Sequence, residues 1–346
     1  MSIRVTIQPS GHQFEVEAGE TILQAAVREG YGLPFGCRSG ACGSCKGKIL
    51  SGTVDYGDYQ SEALTPEEIA QGKALFCCAK PLEDLVIEVR EVTGIRDIPI
   101  KKLPCRVESI ARPNHDVIIL KLKLPANETF EFLAGQYIDI LLKEGKRRSF
   151  SLANAPQEKG FLELHIRHYP GGNFSSFVFG ELKERAILRF EGPLGTFFLR
   201  EDSDKPIIFM AGATGFAPIK GMIECARQHG CTRPMVLYWG VRSLHDLYHG
   251  ALASSWQAGD GQFTFIPVLS DPQPEDQWHG RTGLVHQAIL DDFADLSGYQ
   301  VYACGAPRMV EAGFKAFTQT RGLPETEFFS DPFTPSVDKN PAPATS

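Results

Sequence analysis

Four cysteines carry the most specific chemistry in the chain. Cys37, Cys42 and Cys45 share the loop Cys37-Arg38-Ser39-Gly40-Ala41-Cys42-Gly43-Ser44-Cys45, and Cys77 or its neighbour Cys78 answers them after a further 31 residues. That spacing suits a 2Fe-2S cluster, in which thiolates complete a tetrahedral sulfur shell around each iron. Gly36, Gly40 and Gly43 let the backbone wrap closely and turn its N–H groups toward the sulfurs. Structural zinc is the alternative use of four thiols. Zinc sites usually draw on two tight Cys-x-x-Cys pairs, whereas three of these thiols share one loop. Spacing alone does not choose between Cys77 and Cys78.

Two further constellations bear on nucleotides. Arg148-Ser149-Phe150-Ser151 gathers a cation, two hydroxyls and an aromatic ring at a strand end; a flavin asks for a ring over one face, a hydroxyl near N5 and an arginine for its phosphates. By itself this is also an ordinary basic turn. Gly212-Ala213-Thr214-Gly215-Phe216-Ala217-Pro218 follows an apolar strand and opens a helix. Phosphates are bound in that setting because glycines admit the backbone closely and the helix start faces the anion. It is not Gly-x-Gly-x-x-Gly, since the first spacing is wider and a proline closes it.

The elements that must position these residues fall into three segments. Residues 1–96 alternate like a small antiparallel sheet, with Ile3-Arg4-Val5-Thr6-Ile7, Gln13 to Val16 and Leu85 to Val89 as strands and a helix over Thr21 to Glu29. A second short helix begins at Thr65-Pro66-Glu67-Glu68. Residues 97–203 read as a small antiparallel barrel and 204–335 as alternating strands and helices, hence a parallel, doubly wound sheet. Residues 336–346 are rich in Pro, Ala and Ser and read as a flexible tail. The net charge of -7 argues against nucleic-acid binding. The most apolar stretch, Pro206 to Ile219, is too short and glycine-broken for a membrane span, and the start does not read as a signal peptide. Nine cysteines, mostly clustered, suit a reducing cytoplasm better than a disulfide framework.

Taken together, the motifs resemble the ferredoxin-NADP reductase superfamily, in the branch with an N-terminal plant-type ferredoxin domain. The order is similar to the reductase components of aromatic-ring oxygenases and to CDP-6-deoxy-3,4-glucoseen reductases. The resemblance implies a β-grasp ferredoxin domain, an antiparallel flavin-binding β-barrel and a doubly wound nicotinamide-binding sheet. It implies Cys37, Cys42, Cys45 and Cys77 as cluster ligands, because the last ligand of such ferredoxins lies four residues before a proline, here Pro81. For FAD it implies Arg148, Ser149, Phe150 and Ser151, the strand residues His165 and Arg167, and Gly172 and Ser175 at a diphosphate-binding helix start. For the nicotinamide cofactor it implies Gly212, Thr214, Gly215 and Pro218, with Ala213 replacing a glycine of the family's loop. Cys304 and Gly305 lie where the family puts a cysteine beside the hydride-giving carbon. Arg242 would pair with a 2'-phosphate of NADPH or contact the diphosphate or adenine; by resemblance NADH is favoured over NADPH. Phe333, after Asp331 in place of the family's glutamate, is the aromatic candidate near the flavin. Phe150, Ser151, Cys304 and Phe333 are thus the catalytic candidates. The expected activity is NAD(P)H oxidation through FAD and a 2Fe-2S cluster to a protein electron acceptor, a terminal oxygenase or an iron-sulfur dehydrase. A flavin reductase acting on a small molecule, or an electron-transfer or redox-sensing flavoprotein without such a partner, are the other classes.

Overall fold

The computed structural model describes residues 2–95, 98–259 and 261–334. The expected tail at 336–346, and residues 96 and 97 at the expected first boundary, lie outside the described residues. Three large sheets follow one another along the chain, and a two-stranded ribbon of Val54–Asp55 and Lys80–Pro81 accompanies the first.

The first sheet runs in the order Gln13–Val16, Ile3–Gln8, Leu85–Glu88, Lys46–Ser51, Lys73–Leu75. It is mixed rather than antiparallel, which corrects the sequence expectation: Val5 to Gln8 pair in parallel with Leu85 to Glu88. A parallel return needs a long crossover, and here the helices Ile22–Arg28 and Pro66–Ala70, the cluster loop and five short strands intervene. That helix starts at Thr21, whose Oγ1 accepts from the Gln24 N–H while Gln24 accepts from the Thr21 N–H, satisfying two otherwise orphan donors. Its Ile22, Ala25 and Ala26 are buried against Val5, Ile7 and Ile87.

The second sheet has six strands, Lys101–Ala111, Val117–Lys123, Tyr137–Leu141, Arg147–Ser151, Phe161–Arg167 and Ile187–Leu194, each pairing antiparallel with its neighbours. One antiparallel bridge between Leu152, just past one edge strand, and Leu164 in the other brings the two edges together at a single point, so the sheet curls as an open barrel. Val107, Ile118, Leu120, Ile138 and Phe190 fill the interior.

The third sheet is wholly parallel, in the order Arg281–Thr282, Phe263–Leu269, Met235–Val241, Ile207–Gly212, Gln300–Gly305, Phe328–Pro332. Residues Ile207 to Ala211 are completely buried, as a strand covered by helices on both faces must be. The strand Phe328–Pro332 extends the sheet at one edge; the sequence offered it only as a motif. Among the described residues, no helix is long and apolar enough to cross a membrane.

The cluster loop itself docks the first unit on the barrel. The Phe35 N–H donates to Thr196 Oγ1 at 3.0 Å, and the Thr196 N–H returns a bond to the Phe35 carbonyl at 3.2 Å. Arg38 pairs with the buried carboxylate of Asp139 and lies 3.6 Å from Glu191. Arg90 donates to the Thr326 carbonyl at 3.0 Å, tying the first unit to the third.

Candidate functional site

Sheet register brings the four cysteines together. Lys46 pairs with Leu75, so Cys45 just before one strand stands beside Cys77 just after the other. The Cys37 N–H points at Cys42 Sγ at 3.3 Å, and the Ser39 and Ala41 N–H groups point at Cys37 Sγ, each at 3.4 Å. Donors aimed at sulfur stabilise thiolate over thiol. The Cys42 thiol and these N–H groups bring Cys37 down to about 5, while Cys42, which shares that proton, is pushed up. Gly40 and Gly43 have φ of +71° and +78°, and a Cβ on Gly40 would sit 2.7 Å from Cys78 Sγ. Cys78 therefore packs against the loop backbone, whereas Cys77 is buried with its thiol on the Cys45 side. Among the described residues, the ligand sets compact enough for one ion lie elsewhere, so these thiols are spread more widely than a single zinc requires. The donor set fits a two-iron cluster.

A single cleft of about 2210 Å³ runs from this loop across the barrel to the parallel sheet, lined by Cys37 and Cys77, by Arg148, Ser149, Phe150, Ser151, His165, Arg167, Gly172 and Ser175, and by Gly212, Thr214, Arg242, Gly305 and Phe333. In its middle, Phe150 packs its ring 5.4 Å from Phe174. Ser149 Oγ donates to Asp139 at 2.7 Å, and Arg167 is held by Asp116 at 2.7 Å. Ser175 Oγ accepts from the Tyr169 N–H at 3.1 Å and shapes the turn before the helix Asn173–Gly180. A Cβ on Gly172 would meet Ser175 Oγ at 2.8 Å and the Tyr169 carbonyl at 3.0 Å, so the turn needs glycine. No side chain caps that helix, and Gly172, Phe174 and Ser175 at its start line the cleft, the setting in which a helix N-terminus meets anionic oxygens. Cleft size, aromatic wall and uncapped helix start fit FAD.

At the far end Gly212, Thr214 and Gly305 line the cleft, but Gly215, Pro218 and Cys304 do not. They lie just behind the wall. A Cβ on Gly215 would come within 2.1 Å of the Cys304 carbonyl, so glycine is required for close approach of two strand ends. Cys304 is fully buried between Ala211 and Asp331 in the sheet register, and burial pushes its thiol well up. Ala213 sits at φ +47°, a left-handed position in which glycine is at ease. Trp239 holds it there, donating from Nε1 to the Ala213 carbonyl at 3.0 Å while stacking 3.9 Å from Phe216. Arg242 is exposed, 3.7 Å from Asp271. The Phe333 N–H donates to the Gly305 carbonyl at 2.8 Å, which fixes that residue at the cleft edge.

Several residues at the site escaped the sequence reading. Tyr137 donates its hydroxyl to the Gly36 carbonyl at 2.6 Å. Asp331 is buried opposite the cluster loop, where a Cβ on Gly36 would lie 3.4 Å from its oxygen, and burial with the Cys37 charge pushes it to about 7. Behind the barrel wall His165 accepts or donates to Tyr248 at 2.8 Å and to Glu163 at 3.1 Å, and Lys220 reaches Glu163 at 3.1 Å. Burial keeps His165 below its usual value; burial also lifts Glu163, but His165 and Lys220 outweigh it and hold that carboxyl at about 2. Nothing local in the sequence marks Glu163, Tyr248 or Asp271.

Three family models match in the order of the three sheets: the 2Fe-2S iron-sulfur cluster binding domain over residues 5–82, the oxidoreductase FAD-binding domain over 104–199 and the oxidoreductase NAD-binding domain over 209–314. The chain is 42% identical over 336 residues to the CDP-6-deoxy-L-threo-D-glycero-4-hexulose-3-dehydrase reductase of Yersinia pseudotuberculosis, covering 97% of this chain and 100% of that protein. It is 37% identical over 343 residues to the phenol hydroxylase P5 protein of Acinetobacter pittii, covering 98% and 96%. The crystal structure of the Amycolatopsis cytochrome P450 reductase GcoB superposes with a TM-score of 0.79 at 35% identity, covering 96% of this chain and 99% of that one. With cluster loop, flavin wall and phosphate loop opening on one cleft, the chain belongs to the family of iron-sulfur flavoprotein reductases that join a 2Fe-2S ferredoxin domain to FAD-binding and NAD-binding domains.

Proposed function

We propose that this protein oxidises NADH and delivers electrons one at a time to a protein acceptor, either a terminal oxygenase or an iron-sulfur dehydrase, in the cytoplasm. The observation that carries this reading is the shared cleft, onto which Cys37, Phe150 and Gly212 all open. FAD and the cluster, when bound, supply the conversion between a two-electron hydride donor and one-electron chemistry. The chain's residues bind and orient. Cys37, Cys42, Cys45 and Cys77 would hold the cluster, and the N–H groups of Ser39 and Ala41 would stabilise its sulfur charge. Phe150 and Phe333 would bound the flavin ring and Ser151 would meet its reactive edge, with Arg148 and the helix start at Gly172 on the phosphates. Gly212 and Thr214 would meet the dinucleotide, and Cys304 would act from behind Gly305 by shaping the nicotinamide pocket.

Preference for NADH over NADPH is supported by Asp271, which neutralises Arg242, and by Asp246 on the cleft wall. A 2'-phosphate beside Arg242 would compete with the Asp271 carboxylate for that guanidinium. Boundaries near residues 96, 203 and 335 complete the reading. The acceptor classes are supported by the relatives, one named for a dehydrase and another for phenol hydroxylase.

NADH-driven reduction of cytochrome c and of ferricyanide, by wild type and by Cys42→Ser, tests the electron order. The variant should lose cytochrome c reduction and keep most ferricyanide reduction. Equal loss of both in an FAD-replete variant contradicts it.

A further inference from the structure

At the opposite end of the helix whose first turn borders the cleft, a second set of ligands gathers that the electron path does not use. Cys225 and His229 stand one turn apart at the end of Phe216–Gln228, and Glu201 approaches from the segment that leaves the barrel. One atom from each lies within 4.8 Å of the others. Glu201 Oε1 is 2.9 Å from His229 Nδ1, and Cys225 Sγ is 4.0 Å from the same nitrogen. The other ring nitrogen, Nε2, meets the Gln157 side-chain amide, which also donates to Cys225 Sγ at 3.4 Å, so the imidazole is oriented with Nδ1 toward both the carboxylate and the thiol.

We infer that Glu201, Cys225 and His229 form a divalent-metal site of the zinc class, which ties the segment after the flavin barrel to the end of this nicotinamide-domain helix. Thiolate, imidazole and carboxylate make a ligand set that zinc accepts, with sulfur at about 2.3 Å and nitrogen at about 2.0 Å. Tetrahedral angles then set sulfur and nitrogen roughly 3.6 Å apart, against 4.0 Å between Cys225 Sγ and His229 Nδ1 here. The carboxylate and imidazole are exposed while the thiol is buried. An ion can therefore enter from solvent and keep water in the fourth position. The negative end of the helix also favours a cation there. Binding is proton-balanced. The Cys225 S–H proton leaves to solvent, the Nδ1 proton of His229 is replaced by one on Nε2, which the Gln157 side chain accepts by turning its amide oxygen toward the ring, and the metal takes the freed lone pairs. The other compact ligand set, His115 with Asp116 and Asp246, is less available, because Arg167 holds Asp116 at 2.7 Å and Ser243 holds Asp246.

The test uses holoprotein carrying its cluster and FAD, treated with chelator and titrated anaerobically with Co2+. Wild type should bind one equivalent with the ligand-field bands of tetrahedral cobalt and a thiolate charge-transfer band in the difference spectrum. Zn2+ should displace it, release one proton per ion above that taken up by buffer controls, and raise the Tm. Cys225→Ser should remove the charge-transfer band, and His229→Ala should weaken binding by roughly 100-fold. Cys231→Ser should change neither. Glu201→Ala alters only an exposed side chain and serves if the Cys225 variant does not fold; it too should weaken binding. Absence of saturable binding by wild type, a cobalt spectrum without sulfur charge transfer, or equal binding by wild type, His229→Ala and Glu201→Ala would each overturn the site.

Discussion

The phenol of Tyr137 donates to the carbonyl of Gly36 at 2.6 Å, so a fully packed barrel residue holds the backbone immediately before the first cluster thiol. The bond joins the flavin-binding and cluster-binding units at the point where electrons must pass. Removing the hydroxyl leaves a buried carbonyl unpaired, at a cost of about 1–2 kcal/mol. Tyr137→Phe should lower the Tm by several degrees and slow cluster reduction by NADH in stopped flow, with flavin reduction unchanged. Unaltered cluster reduction would show that this anchor is dispensable.

Ala213 holds a left-handed conformation in the phosphate loop. For a non-glycine residue that conformation costs about 1–2 kcal/mol, of which greater chain freedom in the unfolded state takes back roughly 0.5–1 kcal/mol on replacement by glycine. Ala213→Gly should therefore be neutral to slightly stabilising and should leave the KM for NADH within about twofold. Ala213→Val adds a branched side chain where backbone sterics forbid it. It should raise KM several-fold in steady-state assays; an unchanged KM would mean the loop has another conformation.

Glu163 sits at about 2, well below an ordinary glutamate, because His165 and Lys220 outweigh the cost of its burial. A carboxyl depressed on folding stabilises fully above its unfolded value near 4.5 and loses that contribution as pH falls through about 2. The contribution is on the order of 3 kcal/mol. Denaturant melts of wild type between pH 7 and 3 should show a decline that Glu163→Gln flattens. Parallel curves for the two would remove Glu163 from the acid-sensitive set.

Asp271 lies 3.7 Å from Arg242, which follows the strand Met235–Val241. Asp271→Ala should free that guanidinium for a 2'-phosphate. We expect kcat/KM for NADPH to rise roughly tenfold, about 1.4 kcal/mol, with little change for NADH. A loss for both cofactors would instead give Asp271 a structural role.

What the sequence made legible was contiguous. The cluster loop, Arg148 to Ser151 and Gly212 to Pro218 each pack their chemistry into one turn, so residue type and spacing suffice to read them. Relationships made by tertiary contact were not legible. Asp331 faces Gly36 only because the strand Phe328–Pro332 pairs beside Gln300–Gly305, and that short strand carries little alternation of its own. The parallel pairing of Val5 with Leu85 depends on a crossover of about eighty residues, which local pattern does not encode. Cys304 reads as a cleft residue from its neighbours, yet its side chain falls on the buried side of the strand end and Gly305 takes the wall. Lys220 lies inside an apolar helix pattern; its pairing with Glu224 one turn on is local, whereas its contacts with the barrel's Glu163 and Ala153 carbonyl come only from the tertiary fold.

The most direct measurement is anaerobic rapid mixing of holoprotein with NADH, following flavin absorbance and the paramagnetic signal of the reduced cluster together. Bleaching of the flavin should precede the cluster signal, Cys77→Ser should abolish that signal while bleaching persists, and Cys78→Ser should keep both. A cluster signal that rises in protein stripped of FAD, or that survives in Cys77→Ser but not in Cys78→Ser, would contradict the account.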